Sequence, residues 1–429
     1  MPAALPPDFP LRQVLNDEVH ARPPAPLSTP EHIGFLAILT PPEAAPAELA
    51  ALRELLAHHG QSSPLAETSH LLLELPGYRL RWERHTEFST YTVFRPGSSE
   101  AGPEAFAALP AGWLAKLPGQ TLVAAEVSLR AAHDHEPERA PFAEFFGHED
   151  IIGASVVDGA GAVFTDFRLT AAGHSRFLVL DHRLSRKQAG RVVQRLLEIE
   201  TYRMMALLAF PVARAAHQVL SEAERELARI TAALASATPE EEAGLLQALT
   251  QVAAAMERRV AETRFRFSAA QAYYELVRRR IGELREARLP GVQTLGEFME
   301  RRLAPAMFTC ATAQRRQEEL SAHIARAGQL LRTRVDVATE QQNQRILASM
   351  DRRAHLQLRL QETVEGLSVA AITYYTVGLI GYLGKSLKAV GWNLDTDLLT
   401  GASIPVVALG VALGVRQIRK AVKRQFVRV

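Results

Sequence analysis

Gly366–Gly384 reads GLSVAAITYYTVGLIGYLG and Leu398–Val415 reads LLTGASIPVVALGVALGV, two uncharged runs of 19 and 18 residues separated by Lys385–Asp397. A helix needs about 20 predominantly apolar residues to cross a hydrocarbon core of roughly 30 Å. Both runs just reach that length, and their tandem arrangement predicts a C-terminal two-helix transmembrane hairpin. The alternative is a pair of buried core helices in a soluble protein. Gly, Ser, Thr and Tyr dilute the first run and Pro405 interrupts the second; membrane helices tolerate both where neighbours re-satisfy the backbone. Ser368, Gly378, Gly381, Gly401, Gly410 and Gly414 offer small surfaces for close helix approach.

Charge sets the orientation. The tail after the second run carries Arg416, Arg419, Lys420, Lys423, Arg424 and Arg428 and no acid, whereas the loop balances Lys385 and Lys388 with Asp395 and Asp397. Basic residues near membrane ends are retained in the cytoplasm, and two spans return the chain to its starting side. Residues 1–365 and the tail are therefore expected there, with the tail favouring anionic lipid headgroups. The first residues, MPAALPPDFPLRQVLNDEVH, show neither the basic nor the apolar part of a secretory signal. A single cysteine, Cys310, excludes an intrachain disulfide and fits a reducing compartment. Net charge is only +2 over 429 residues, so no global field selects nucleic acid as a partner. No Walker loop, GxGxxG, CxxC or HExxH occurs, which leaves the common nucleotide and zinc sites without support.

Working back from the membrane, the chain divides into an N-terminal arm (1–30), an α/β domain (31–183), a helical region (184–304), a long stalk helix (305–365), spans at 366–390 and 398–415, and a basic tail (416–429). In the α/β domain, alternating apolar segments predict strands at His32–Thr40, Leu71–Leu75, Tyr78–Arg84, Ser89–Arg95, Thr121–Leu129, Gly161–Leu169 and Arg176–Asp181. Helices are predicted near Pro42–His58 and Pro141–Phe146, and turns at Pro76–Gly77 and Asp158–Gly161. Helix formers dominate from Leu184. Helices are expected over Ser185–Phe210, ended by Pro211, over Val212–Ala237, and from Thr238–Pro239 to about Leu289. After Pro305 no proline occurs before Pro405, so Ala306–Glu365 predicts a helix of about 90 Å entering the membrane unbroken. Ile346, Met350, Arg353, Gln357, Leu360, Val364 and Leu367 recur at spacings of four and three, a coiled-coil seam made partly polar by Arg353 and Gln357. Such a helix needs partners, its own preceding helices or other copies of the chain. The fold class expected is an α+β cytosolic domain, a helical coiled-coil stalk and the transmembrane hairpin.

Three clusters carry possible chemistry. LNDEVHARPP at Leu15–Pro24 gathers Glu18, His20 and Arg22, which could hold a metal or an anion, or pin the terminus by charge-assisted hydrogen bonds. RWERHTEF at Arg81–Phe88 lies on a predicted strand, where alternation puts Glu83, His85 and Glu87 on one face. Two carboxylates flanking an imidazole can coordinate a divalent ion or tune a general base, or can be a solvated sheet face. His133–Glu136, HDHE, offers four adjacent ligands on a loop, which rarely converge on one metal. None contains a nucleophile with an evident partner.

LNDEVHARPP, RWERHTEF, YRMMALL at Tyr202–Leu208 and LQLRLQETVEGLSVAAITYY at Leu356–Tyr375 together resemble domain-of-unknown-function family 3422, bacterial uncharacterised membrane-anchored proteins. The resemblance implies location rather than chemistry: a multi-pass protein of the bacterial inner (cytoplasmic) membrane. The plan of cytosolic domain, long helix, span, short loop, span and basic tail also resembles the pentameric CorA-type magnesium channels. Those carry Gly-Met-Asn after the first span, where this chain has Gly391, Trp392 and Asn393. That resemblance implies a cation channel with Gly391 and Asn393 at its external mouth, Thr373 and Thr376 facing the pore, and a divalent cation as cargo; Trp392 departs from the pattern and weakens magnesium selectivity. Two rival expectations stand beside it: a membrane-anchored scaffold with a coiled-coil stalk, and a metal-dependent enzyme using Glu83, His85 and Glu87 with His20 or Glu18. In the first two the partners are lipid and further copies of the chain.

Overall fold

The computed structural model describes residues 7–20, 23–61, 69–97, 105–132, 142, 145–148, 150–389, 391 and 395–426, with backbone alone at 18–20 and 419–426. The chain forms two compact units, one of residues 1–236 and 247–328, the other of residues 237–246 and 329–429.

In the first unit, helix α1 (Arg12–His20) precedes β1 (Glu31–Leu39), α2 (Ala45–His58), β2 (His70–Leu75), β3 (Tyr78–Arg84), β4 (Phe88–Pro96), β5 (Gln120–Ala131), β6 (Ile152–Val156), β7 (Gly161–Leu169) and β8 (Ser175–Asp181). These strands make one eight-stranded mixed sheet in the order β2-β3-β4-β1-β5-β8-β7-β6. Two antiparallel meanders, β2-β3-β4 and β6-β7-β8, flank the central β1–β5 pair, and only β5–β8 is parallel. The predicted strands fall within a residue or two of those observed. The exception is β6, whose IGASV lacks alternation; a Cβ on Gly153 would lie 2.3 Å from the Phe164 ring that covers it from β7. Tight turns fall where expected, with Gly77 and Gly159 at positive φ of 85° and 79°.

Strand alternation builds two cores. Ile33, Phe35, Ala37, Val123, Ala125 and Val127 face one way, against α3 (Arg186–Leu207), α4 (Ala209–Leu234) and parts of α5 (Pro239–Leu284) and α7 (Ala304–Ala389). Leu36, Ile38, Leu80, Trp82, Tyr91 and Val93 face the other way, against α2 and Trp113, and on that same face Phe142 and Phe146 cover Phe164 and Leu178. A buried carboxylate joins α2 to the sheet: Glu48, 0% exposed, accepts hydrogen bonds from Trp82 Nε1 at 2.8 Å, Tyr91 OH at 2.7 Å and Arg84 Nε at 2.9 Å. A buried charge with three donors is stable where an unpaired one would not be.

Helix α3 starts at a capping box, Ser185 with Gln188. The break after it comes at Leu208 rather than Pro211, because Pro211 sits in the first turn of α4, where its missing N–H has no helical partner to lose. Glu240, Glu241 and Glu242 open α5 with an acidic first turn, which the helix dipole favours. The short helix α6 (Leu295–Arg302), capped by Thr294 with Glu297, precedes α7.

In the second unit, α7 continues through Glu365 into the first apolar run without a break, and α8 (Thr396–Phe426) contains the second, with Pro405 inside it. Glu242 and Arg334 form an ion pair at 2.5 Å. Ile346, Met350, Leu360, Val364 and Leu367 of the four-and-three seam are all exposed. At the loop end of the two runs, a Cβ on Gly384 would lie 3.3 Å from Leu399, and one on Gly381 3.3 Å from Thr400.

Candidate functional site

The β3–β4 hairpin and α3 enclose a cavity in the first unit. Alternation sends Arg81 and Glu83 of β3 to the helix-covered face, and the antiparallel register sets Thr92 opposite Arg81 and Thr90 opposite Glu83. Across from them α3 presents Gly190, Val193, Gln194, Leu197, Glu198 and Thr201, positions three and four apart that share one side of a helix. Together these walls bound about 350 Å³. Its lining mixes apolar Ala25, Phe35, Phe88, Phe94, Val193 and Leu197 with polar Arg81, Glu83, His85, Gln194, Glu198, Tyr202 and Arg280. The Ala25 wall is fixed by a backbone contact: a Cβ on Gly190 would lie 2.0 Å from the Ala25 carbonyl oxygen, so only glycine lets the Ala25 segment lie on α3.

The charges in the chamber come in pairs. Arg81 donates to Glu83 at 2.7 Å and to Gln194 Oε1 at 3.3 Å, while Gln194 donates to Glu198 at 2.8 Å. Arg280, from α5, pairs with Glu198 inside the chamber and with Glu283 at 3.0 Å. Desolvation works against that guanidinium, but Glu198 and Glu283 outweigh it and hold its pKa above the ordinary arginine range. Burial, reinforced by the Glu198 carboxylate, pushes the Tyr202 phenol up to about 12. Two guanidiniums are thus paired with two carboxylates in the lining of the space, with a protonated phenol beside them.

The RWERHTEF segment contributes more than its strand. Glu83 and His85 line the chamber, but Glu87 does not join them, a correction to the shared face expected. β3 ends at Arg84, residues 85–87 turn, and the alternation lapses there. Glu87 instead pairs with Arg266 of α5 and accepts from Tyr273 OH at 3.0 Å. The His85 ring stacks on Phe88, centroids 4.5 Å apart. Among the described residues no group of three or more His, Cys, Asp or Glu side chains is placed to hold a metal ion.

Of LNDEVHARPP, the part up to His20 is helical, but the side chains of Glu18 and His20 and the whole of Arg22 lie outside the described residues, as does His133–Glu136. In the C-terminal loop Gly391 has φ of 99°, and Trp392 and Asn393 are outside the described residues. Thr373 and Thr376 donate their hydroxyls to Val369 and Ile372 carbonyls of their own helix, each at 2.7 Å. Arg416 is exposed; Arg419, Lys420, Lys423 and Arg424 are described as backbone only, and Arg428 not at all.

Sequence reasoning missed Gln194, Glu198, Thr201 and Arg280. Gln194, Glu198 and Thr201 interrupt the apolar stripe of a sheet-covering helix on one side, a signal present in the sequence but meaningful only once α3 is known to face β3 and β4. Arg280 is brought in by α5 from far along the chain.

A protein-family model described as "Protein of unknown function (DUF3422)" matches residues 7–422. No curated protein and no solved structure matches. The channel expectation drawn from the CorA-type plan therefore gains no support from known proteins.

Proposed function

Because the chain belongs to the DUF3422 family, whose description names no activity, we propose from its geometry that it is a membrane-anchored binding protein. Its anchor is the pair of apolar runs in α7 and α8, its bulk is cytoplasmic, and its chamber between α3 and the sheet receives a small polar ligand. The observation that carries this reading is the chamber itself. It gathers two paired guanidiniums and carboxylates in the lining of a space at the lower end of the roughly 300–1,000 Å³ typical of small-molecule sites.

The anchor has separate support. Tyr374, Tyr375, Leu379, Tyr382 and Leu383 are exposed along α7, as are Leu398, Val406 and Leu409 along α8. Water would oppose so dense an apolar surface, whereas lipid accepts it. The contacts of Gly381 and Gly384 with Thr400 and Leu399 support a hairpin closed at its external loop. The exposed four-and-three seam of α7 supports pairing between copies of the chain, read by sedimentation of the detergent-solubilised protein.

Two experiments test the two halves. Vesicles washed in alkaline carbonate should retain the full chain, and a reporter fused after Val429 should report the cytoplasm; release, or a periplasmic signal, overturns the anchor. For the chamber, compounds released on denaturing the purified protein are compared by mass spectrometry with those from Thr92→Phe, which fills the space. A compound stoichiometric in the wild type and lost in the variant supports the binding reading; identical profiles overturn it.

A further inference from the structure

The inference deepens the binding reading and rests on it. Charge accounting in the chamber narrows what can enter. A lone anion drawn to Arg81 or Arg280 competes with Glu83 or Glu198 and leaves that carboxylate without its cation in a partly buried space, a costly outcome. A lone cation drawn to Glu83 strands Arg81 in the same way, whereas Arg280 keeps Glu283 when Glu198 is taken. A molecule carrying both charges avoids either loss, because each Arg–Glu pair is exchanged for one Arg–carboxylate and one Glu–ammonium contact. Planar guanidinium suits a carboxylate through paired N–H donors. The chamber also has apolar wall, from Ala25, Phe35, Phe94 and Val193, all four part of the main buried core.

We infer that the chamber binds a zwitterionic α-amino acid with an apolar side chain. Arg81 and Arg280 take its carboxylate, Glu83 and Glu198 take its ammonium, and the side chain lies toward Phe35 and Phe94. Tyr202 stands beside Glu198 and Arg280, where a protonated phenol can donate to the ligand carboxylate.

Calorimetric titration of the full-length protein in detergent tests this with three probes: L-leucine, N-acetyl-L-leucine, which lacks the ammonium, and L-leucinamide, which lacks the carboxylate. L-leucine should bind saturably, and each analogue should bind about 10- to 100-fold more weakly, the loss expected when a charged hydrogen-bonded contact is removed. Glu198→Gln should narrow the gap between L-leucine and N-acetyl-L-leucine. The wild-type series needs no variant to fold. If either singly charged analogue binds as tightly as L-leucine, the inference is overturned while the chamber remains a binding site. If L-leucine does not bind although a compound is released from the wild type and lost in Thr92→Phe, the inference again fails and the binding reading stands; identical release profiles sink both.

Discussion

Arg186–Leu234, Leu295–Ala389 and Thr396–Ile418 are all helical stretches long and apolar enough to cross a membrane, yet the apolar window is 33% buried in the first, 6% in the second and 0% in the third. In the first, Met205, Ala206, Ala209, Ala213 and Leu220 are packed inside the folded unit and are 0% exposed. In the second and third the same kinds of residue face outward. Composition therefore states only that a helix requires an apolar neighbour; whether that neighbour is protein or lipid is decided by what else the helix carries. The first stretch carries Gln194, Glu198, Glu200 and Arg203 immediately before its apolar window, each with a partner in the folded unit. Gly366–Gly384 and Leu398–Val415 bear no charge at all.

The contrast extends to single charges. The first unit buries Glu48 because Trp82, Tyr91 and Arg84 surround it. Glu48→Ala should cost about 3–5 kcal/mol, the range for removing one partner of a buried charged network, since Arg84 loses its carboxylate and two aromatic donors lose their acceptor. Chemical denaturation of the full chain, followed by Trp fluorescence, measures it. A loss below about 1 kcal/mol would mean that the network contributes no more than a surface pair does.

The converse substitution puts a charge where the structure offers none a partner. Leu379 is 64% exposed. In water, Leu379→Arg would be nearly neutral, within about 0.5 kcal/mol; at the centre of a membrane helix it should cost about 2.5–3.5 kcal/mol. The fraction of chain resisting carbonate extraction is the readout. An unchanged fraction would erase the distinction between the two regions.

Much of this division was legible in residue order. The two uncharged runs, the unbroken α7 and seven of eight strands follow from hydropathy period and from the placement of Pro and Gly. What escaped was tertiary. β6 is held by Phe164 lying over Gly153, a pairing invisible in IGASV. RWERHTEF reads as one strand until the turn at residues 85–87 sends Glu87 toward α5. The charged lining of the chamber needs Arg280, nearly 200 residues from Glu83, and no local pattern brings them together.

A smaller effect is expected where the first unit's tight packing meets its bound segment. Gly190→Ala places a Cβ against the Ala25 carbonyl and should cost about 1–3 kcal/mol, the usual range for overpacking. It should also weaken any chamber ligand, since Ala25 is one of the walls. Gly244→Ala, with nothing within 4 Å of its Cβ on α5, should instead be neutral or slightly stabilising through helix propensity. Thermal melting of the two variants side by side separates close packing from a general glycine effect.

A further effect is one of pH, confined to the alkaline range, and it divides the two regions again. Burial pushes the phenols of Tyr78 and Tyr202 up to about 12, against an ordinary value near 10. Between those values the folded chain holds protons that the unfolded chain has released, so stability falls as pH rises. The contribution is fully present below about pH 10 and is lost as pH climbs through about 12. Near-UV circular dichroism of the first unit should therefore weaken over this interval, and Tyr202→Phe should flatten part of the decline. Retention in vesicles depends instead on apolar area, which pH does not alter. An alkaline wash should loosen the chamber-bearing unit while leaving the chain in the pellet, and release of the chain in step with the loss of dichroism would show that one unit, rather than two unlike ones, responds to alkali.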